Sequence, residues 1–243
     1  GKIDLNLRLF SDPSLLHWDF MTAMNMGLTA EKIAAMGYSR EDMDAWGARS
    51  HQLAYKAQQE GFFDGEILPV DVPQADGSIK TVDTDQAVRP DATAEDMAKL
   101  RPAFKKDGTI HAGNSSPLNA GASALVLMSR ETAEAKGVEP LAKVVSIGFA
   151  GVQPNIMGTG PVPSTIRALE AAGLEASDID YWEINEAFAV VALYAIKELG
   201  IDPDRVNVKG GGIAIGHPLG ATGGRLVGTL ARILKQEGGR YGC

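Results

Sequence analysis

One stretch of the chain, Gly210–Arg225, places a histidine inside a dense run of glycines. Glycine accepts positive φ and close backbone approach, so such a run is typical of a loop that comes near another molecule. His217 stands in its centre, and Pro218 fixes the backbone directly after it. Thr222 can cap a helix that we predict to run to about Gln236, which puts His217 at a helix N-terminus. The positive end of a helix disfavours imidazolium, and a neutral imidazole is what a general base requires.

Asn185 is the second residue whose type and place could serve chemistry. It falls between a strand predicted over 179–184 and an apolar helix predicted over 187–199. In α/β folds, ligands bind beyond the carboxyl ends of strands, where this amide is expected. Its simplest role is a helix N-cap, and the functional alternative is an amide that holds a water beside His217. Both roles need the same side chain, so they compete.

The elements that must position these two residues follow an α/β pattern in the C-terminal half. Strands are predicted over 143–150 and 179–184, with a helix over 163–173 between them. In the N-terminal half, Ser39 begins a capping box that predicts a helix to about Glu60. Strand-like pieces at 67–70 and 79–82 joined by a turn, and an acidic helix at 92–100, complete the predicted elements.

Composition excludes several classes of protein. The 243 residues are 44% hydrophobic and 22% charged, which is ordinary for a globular chain of one or two domains. A net charge of −8 argues against a general surface for nucleic acid or anionic membrane. The glycine-rich stretch has neither the Lys-Ser/Thr ending of a phosphate-binding P-loop nor a GxGxxG string. No cluster of His, Cys and Asp has the spacing of metal ligands, so we expect no metal site.

Cysteine usage and hydropathy bear on location. The one cysteine, Cys243, allows no intrachain disulfide, which fits a reducing compartment. No apolar run reaches about 18 residues, so no transmembrane segment is expected. We expect a cytoplasmic protein. Targeting to an organelle stays open, because the chain begins at Gly1 without Met.

Six strings, in order along nearly the whole chain, carry a family resemblance. Asn207-Val-Lys-Gly-Gly-Gly-Ile-Ala-Ile-Gly-His-Pro-Leu-Gly-Ala-Thr-Gly resembles the C-terminal signature of thiolases, and Asn185-Glu-Ala-Phe-Ala189 resembles their second active-site motif. Because six motifs occur in the family's order, the resemblance is specific. The other four strings are Met26–Glu31, Leu100–Phe104, His111–Ser116 and Met157–Pro161.

The resemblance implies the thiolase fold, an α/β class in which a layered sandwich of two similar halves carries an inserted loop domain. Only part of that fold is expected in this chain. Residues 1–110 would form the loop domain that covers coenzyme A (CoA). Residues 111–138 would end the N-terminal half, and residues 139–243 would form a truncated C-terminal half.

The resemblance also implies an activity, that of a 3-ketoacyl-CoA thiolase in fatty acid β-oxidation. Such an acyltransferase cleaves a 3-ketoacyl-CoA with CoA to acetyl-CoA and a shortened acyl-CoA. His217 would activate a thiol and donate to an oxyanion, while Asn185 would hold a water in the same oxyanion hole. CoA would be a substrate, and no permanently bound cofactor is implied.

Binding residues follow from the resemblance position by position. Arg89 would contact the nucleotide part of CoA, although a solvated surface arginine is the plain alternative. The apolar, Met-rich stretch at 15–26 is either core packing or a wall of the acyl tunnel. Ala120 departs from the usual pattern, which has Asp after the Asn. The remaining implied contacts to CoA or substrate are Ala112, Ser116, Leu118, Met26, Met157, Ala187 and Phe188.

The positions of the cysteines leave several functions open. Thiolases use two, and the counterpart of the nucleophile lies before Gly1, while Cys243 follows Tyr241-Gly242 too closely to be the second. We therefore expect a chain lacking both ends of a thiolase, or one completed by another chain. A biosynthetic acetoacetyl-CoA thiolase and a non-catalytic CoA- or lipid-binding subunit are the alternatives. By resemblance we expect a homodimer or homotetramer, possible hydratase or dehydrogenase partners of β-oxidation, and no nucleic acid.

Overall fold

The computed structural model describes residues 25–243, so most of the Met-rich stretch at 15–26 lies outside the described residues. Its helices are α1 (Met26–Ala34), α2 (Arg40–Gln59), α3 (Ala94–Ala98), α4 (Arg130–Lys136), α5 (Pro161–Ala172), α6 (Ala189–Leu199), α7 (Gly212–Ile215) and α8 (Thr222–Glu237). The strands β1 (Val70–Pro73) and β2 (Ile79–Val82) join them, with 3-10 turns at Phe62–Gly65, Pro154–Thr159, Ala176–Asp178 and Pro203–Arg205.

Helix α2 forms where the capping signal predicts it. The Ser39 side chain accepts a hydrogen bond from the Asp42 backbone N–H at 3.0 Å, which satisfies one of the free donors at the helix start. Gly61, with φ of 70°, follows the helix in a left-handed conformation and ends it. The predicted helix from Ser39 to about Glu60 is therefore confirmed.

Helix α6 is the centre of the main core. Its residues Ala189, Val190, Ala192 and Ala195 are fully buried. Small side chains on this helix let neighbouring elements approach closely. The core around it comes from α1, α2, α7, the segments that follow the 3-10 turns at 176–178 and 203–205, and the loop at 110. It includes Ile33, Met43, Trp46, Ile110, Trp182, Ile184, Val206 and Ile213.

The strand predicted over 179–184 takes the middle place among three short parallel segments. Trp182 N–H donates to the Arg205 carbonyl at 2.9 Å, and Glu183 N–H donates to the Cys243 carbonyl at 2.9 Å. Parallel bridges accordingly join Trp182 to Val206 and Tyr181 to Gly242. The strand ends just before Asn185, so its carboxyl end presents that residue.

The prediction of a strand over 143–150 is wrong. None of its backbone groups bonds to another backbone group among residues 25–243, and a strand needs such a partner to form. The segment instead lies against α5, where the Ser146 hydroxyl donates to the Ala168 carbonyl at 2.7 Å. Val144, Val145 and Ile147 are more than half exposed along it.

Within residues 25–243, every helix falls short of the combined length and apolar character that a membrane span requires. Across the same residues, no three His, Cys, Asp or Glu side chains come together in a way that could hold a metal ion.

Replacing Gly210 by Ala should destabilise the chain beyond the cost of its backbone conformation. Gly210 has φ of 82°, and a Cβ there would lie 2.7 Å from the Ala54 backbone N on α2. We expect a positive-φ cost of about 1–2 kcal/mol, with about 1–3 kcal/mol more from overpacking. Gly173→Ala is the matched control, because Gly173 has φ of 66° with nothing near its Cβ position. Equal losses in urea unfolding would contradict the prediction.

Candidate active site

The histidine loop is held from two sides. Gly216 has φ of 102°, and a Cβ on it would overlap the side-chain amide of Asn119. That amide accepts a hydrogen bond from the His217 backbone N–H at 3.1 Å. His217 thus sits between α7 and α8 with its backbone fixed by a residue almost a hundred positions away.

The imidazole of His217 is oriented by Thr222. The Thr222 hydroxyl lies 3.0 Å from the Pro218 carbonyl and 2.6 Å from His217 Nδ1. A hydroxyl has one proton, so donation to the carbonyl leaves it to accept from Nδ1–H. On this basis we assign the ring proton to Nδ1 and the lone pair to Nε2. The prediction of Thr222 as an N-cap is wrong: the N-cap is Ala221, without a side-chain bond, because the threonine hydroxyl is engaged with the imidazole.

The electrostatic setting keeps that imidazole neutral. Burial lowers the pKa of His217, and the positive charge of Arg225 lowers it further. Arg225 in turn pairs with Glu183, with 2.7 Å between Nη1 and Oε2. Burial raises the pKa of Glu183 to about 8 despite that partner. A neutral ring with a free lone pair at Nε2 is the state of a general base.

Asn185 faces the free nitrogen of His217. Its Nδ2 lies 3.2 Å from His217 Nε2, close enough to donate to the lone pair. Helix α6 begins at Ala189 with Phe188 as its N-cap, so Asn185 stands outside the helix. The N-cap role that competes for this side chain is therefore excluded. An amide donor and a basic nitrogen therefore lie side by side, where they could bind an oxyanion or take a proton.

The loop at 111–116 lies beside the turn that follows Asn185. Ser116 N–H donates to the Ala187 carbonyl at 3.0 Å, and Ala189 N–H donates to the Asn114 carbonyl at 2.9 Å. Ser115 also forms an antiparallel bridge with Phe188. Ser116, Ala187 and Phe188 are thus brought together, as one binding surface requires. Ala112, in the same loop, is exposed.

Aromatic contacts extend this surface towards α1. The rings of Phe104 and Phe188 meet edge to face with centroids 5.9 Å apart. The Phe104 ring also lies against Gly27, next to Met26 at the start of α1. Met26 is 42% exposed, and Met157, on the 3-10 turn at 154–159, is 46% exposed. Both methionines are therefore free to contact an apolar ligand.

Arg89 and Leu118 lie at the surface of the chain. Arg89 is exposed, and its backbone N–H donates to Nδ1 of His51 at 3.2 Å. Burial, helped by the Arg89 charge, lowers the pKa of His51 to about 4, so this acceptor stays available. Leu118 is fully exposed, one residue before Asn119. Their predicted roles towards CoA stay predictions.

Sequence reasoning missed several residues that shape the site. Asn119 and Arg225 lie within stretches that the sequence analysis names, but neither they nor Glu183 were given a role, because their partners are distant in sequence. Glu186, inside the string that begins at Asn185, is fully buried. A charged residue between Asn185 and an apolar helix is an available signal, since an acid on a buried element needs partners.

Two family patterns match most of the chain. The one described as "Thiolase, N-terminal domain" matches residues 8–131, and "Thiolase, C-terminal domain" matches residues 138–243. Curated relatives agree with them. The 3-ketoacyl-CoA thiolases of Marinobacter nauticus and Hahella chejuensis are 49% and 46% identical to this chain, matching all of it and 63% of each relative. The chain thus spans about 63% of the length of these relatives.

Solved structures give the same result. The acetyl-CoA acetyltransferase of Bacillus anthracis superposes with a TM-score of 0.87 at 44% identity, covering 89% of this chain and 55% of that one. Human mitochondrial 3-ketoacyl-CoA thiolase in complex with CoA superposes with a TM-score of 0.84 at 38% identity, covering 92% of this chain and 56% of that one.

Thr222→Val should release the ring proton of His217 from Nδ1. Valine keeps the shape of threonine and removes the only acceptor at Nδ1, so the two neutral tautomers should mix. The chain has four histidines, so ring nitrogen shifts measured by NMR above pH 8 can resolve His217. Thr229→Val is the control, because Thr229 lies on the same helix as Thr222 and its buried hydroxyl bonds Glu66 instead of a histidine. Unchanged His217 nitrogen shifts in Thr222→Val would refute the assignment.

Proposed function

Since this chain belongs to the thiolase family, we propose that the protein is a 3-ketoacyl-CoA thiolase. The two family patterns and TM-scores of 0.84 to 0.87 confirm the resemblance and the thiolase fold predicted from the sequence. In the proposed reaction, CoA cleaves a 3-ketoacyl-CoA to acetyl-CoA and a shortened acyl-CoA. The curated relatives named 3-ketoacyl-CoA thiolase support this choice of reaction.

The observation that carries the proposal is the contact between Asn185 and His217. In the first half-reaction, Nε2 takes the proton of a cysteine thiol and the thiolate attacks C3 of the substrate. The C2–C3 bond breaks and acetyl-CoA leaves as its enolate, which takes a proton on carbon from the second cysteine that the family uses, while the acyl group stays on the first cysteine as a thioester. In the second half-reaction, the second cysteine takes the proton of the CoA thiol, the CoA thiolate attacks the thioester, and the released first cysteine recovers its proton from Nε2. A water held by the Asn185 amide, together with protonated Nε2, would stabilise the oxyanions.

Cys243 is not the proposed nucleophile. Burial raises the pKa of its thiol, which disfavours the thiolate that the reaction needs. Its backbone is also engaged with Tyr181 and Glu183 in the three parallel segments. The reaction therefore relies on another cysteine presented to His217 Nε2.

We assign the binding of CoA to the surface beside the pair. Ser116, Ala112, Leu118, Ala187 and Phe188 would flank the pantetheine arm, and Arg89 would meet the nucleotide. Met26 and Met157, both partly exposed, would line the acyl chain. This proposal keeps 1–110 as the covering domain, 111–138 as the end of the N-terminal half, and 139–243 as the C-terminal half. The CoA complex of the human mitochondrial relative supports a CoA ligand.

The alternative functions have less support. A biosynthetic thiolase would share the site, but the curated relatives carry the name of the 3-ketoacyl-CoA enzyme. A non-catalytic subunit needs neither a lone pair at His217 Nε2 nor an amide donor facing it. The proposal also includes a role in β-oxidation with hydratase or dehydrogenase partners, a homodimer or homotetramer, and a cytoplasmic location.

His217→Asn should abolish most thiolysis while CoA still binds. Asparagine keeps a hydrogen-bonding side chain but lacks the basic nitrogen, and loss of a general base costs about 10²–10⁴-fold in rate. The test uses protein expressed from its complete reading frame, with acetoacetyl-CoA and a longer 3-ketoacyl-CoA as substrates and calorimetry for CoA binding. If the variant turns over at a rate close to wild type, His217 is not the general base. If the wild type shows no thiolysis, the proposed function is wrong.

Arg89→Ala should weaken the use of CoA without slowing chemistry. A lost hydrogen bond to a charged phosphate is worth about 1.5–3 kcal/mol, so KM for CoA should rise by about tenfold or more at constant kcat. Arg130→Ala, which removes another exposed arginine from the start of α4, is the control. If both variants change KM equally, Arg89 has no specific role towards CoA.

A further inference from the structure

Glu186 is a fully buried carboxylate next to Asn185. Both of its oxygens accept hydrogen bonds, and every partner is a donor, which matches the acceptor-only pattern of an ionised carboxylate. A buried carboxylate is costly unless its oxygens are satisfied, so this set of partners is a built arrangement. The donors are Trp46 Nε1 at 2.9 Å, Asn207 Nδ2 at 2.7 Å, Ser50 Oγ at 2.6 Å and the Ile213 backbone N–H at 3.3 Å.

These donors come from three different parts of the fold. Trp46 and Ser50 stand four residues apart on α2, separated from Glu186 by 140 and 136 positions. Asn207 belongs to a neighbouring parallel segment, and Ile213 lies on α7, four residues before His217. One carboxylate thus holds α2, the central segments and the approach to the histidine loop at a single point.

The contacts between Glu186 and the histidine loop leave little room for adjustment. A Cβ on Gly211 would overlap the Glu186 carboxylate, so the loop backbone lies directly on it. Gly211 N–H also donates to Ser50 Oγ at 3.0 Å, which ties the loop to the same helix. A shift of Glu186 would therefore move both the turn carrying Asn185 and the backbone leading to His217.

We propose that Glu186 is the positioning residue of this site. It holds the turn that carries Asn185 and the backbone that leads to His217, and so sets the 3.2 Å distance between Asn185 Nδ2 and His217 Nε2. Its hydrogen bonds to Trp46 and Ser50 also fix both segments against α2. The inference rests on the proposed function for its kinetic consequence only, since the geometry can be measured without turnover. Ser50, which touches neither Asn185 nor His217, is expected to influence the chemical step through Glu186.

The first test compares Glu186→Gln with Glu31→Gln in the protein from its complete reading frame. Glu31 is a matched control, because it is also a buried carboxylate that accepts from backbone N–H groups, those of Thr109 and Ile110. Gln at 186 offers an acceptor and a donor where four donors converge. Misplacing reacting groups lowers the reaction rate by about 10²-fold. We therefore expect kcat to fall by about that factor in Glu186→Gln, with the KM for CoA little changed. Glu31→Gln should lose stability and keep kcat.

A double-mutant cycle separates positioning from general destabilisation. If Glu186 acts through Asn185, then Glu186→Gln should lower kcat by less than about threefold in an Asn185→Ala background, since interacting residues are not additive. Full additivity of the two kcat losses would overturn the proposal. Should Glu186→Gln not fold, Ser50→Ala takes its place in the cycle, with an expected kcat loss of about tenfold.

The ring signals of His217 give a readout that needs no turnover. Proton–carbon NMR spectra should show displaced His217 ring signals in Glu186→Gln or Ser50→Ala and unchanged ones in Glu31→Gln. If the wild type lacks thiolysis, the proposed function has failed while this spectrum still decides the inference. Undisplaced His217 signals in the variants at 186 and 50 would overturn it.

Discussion

The side-chain amide of Asn207 pairs with both backbone groups of Ile184, and the arrangement around the site depends on this buried pair. Its Oδ1 accepts from the Ile184 N–H and its Nδ2 donates to the Ile184 carbonyl, each at 2.8 Å. Buried backbone groups need partners, and here the central strand ends without a further strand residue to supply them. The amide replaces that residue, so the strand can stop and the chain can turn at Asn185.

Local signals in the sequence were sufficient where an element forms from its own residues. The capping box at Ser39, the turn before β2 and the amphipathic pattern of α8 each predicted an element that is present. Strand formation over 143–150 was mispredicted because a strand depends on a partner elsewhere in the chain. Thr222 was misassigned for a related reason: its hydroxyl contacts the imidazole of His217, five residues earlier, and does not cap the helix.

The candidate site was predictable at the positions that motifs mark and not at those that support them. His217 and Asn185 were found by residue type, glycine density and the order of strings. Glu186 has partners more than a hundred positions away on α2, and no periodicity links such positions. Charges behave likewise. The pKa of His217 is lowered by burial and by Arg225, whose pairing with Glu183 appears only when the chain is folded.

The glycines of the histidine loop also bear on how such a chain can evolve. Gly210 packs against the backbone of α2, and Gly211 packs against the buried Glu186 carboxylate. A side chain added at either position would clash with atoms that are already tightly packed. Most single-base changes in a glycine codon insert a larger residue, and selection will remove them here. Divergence between descendants must therefore accumulate elsewhere. The half-exposed methionines at 26 and 157 are under no such constraint. Under the proposed function, new acyl preferences would therefore arise there while the Asn185–His217 pair stays fixed.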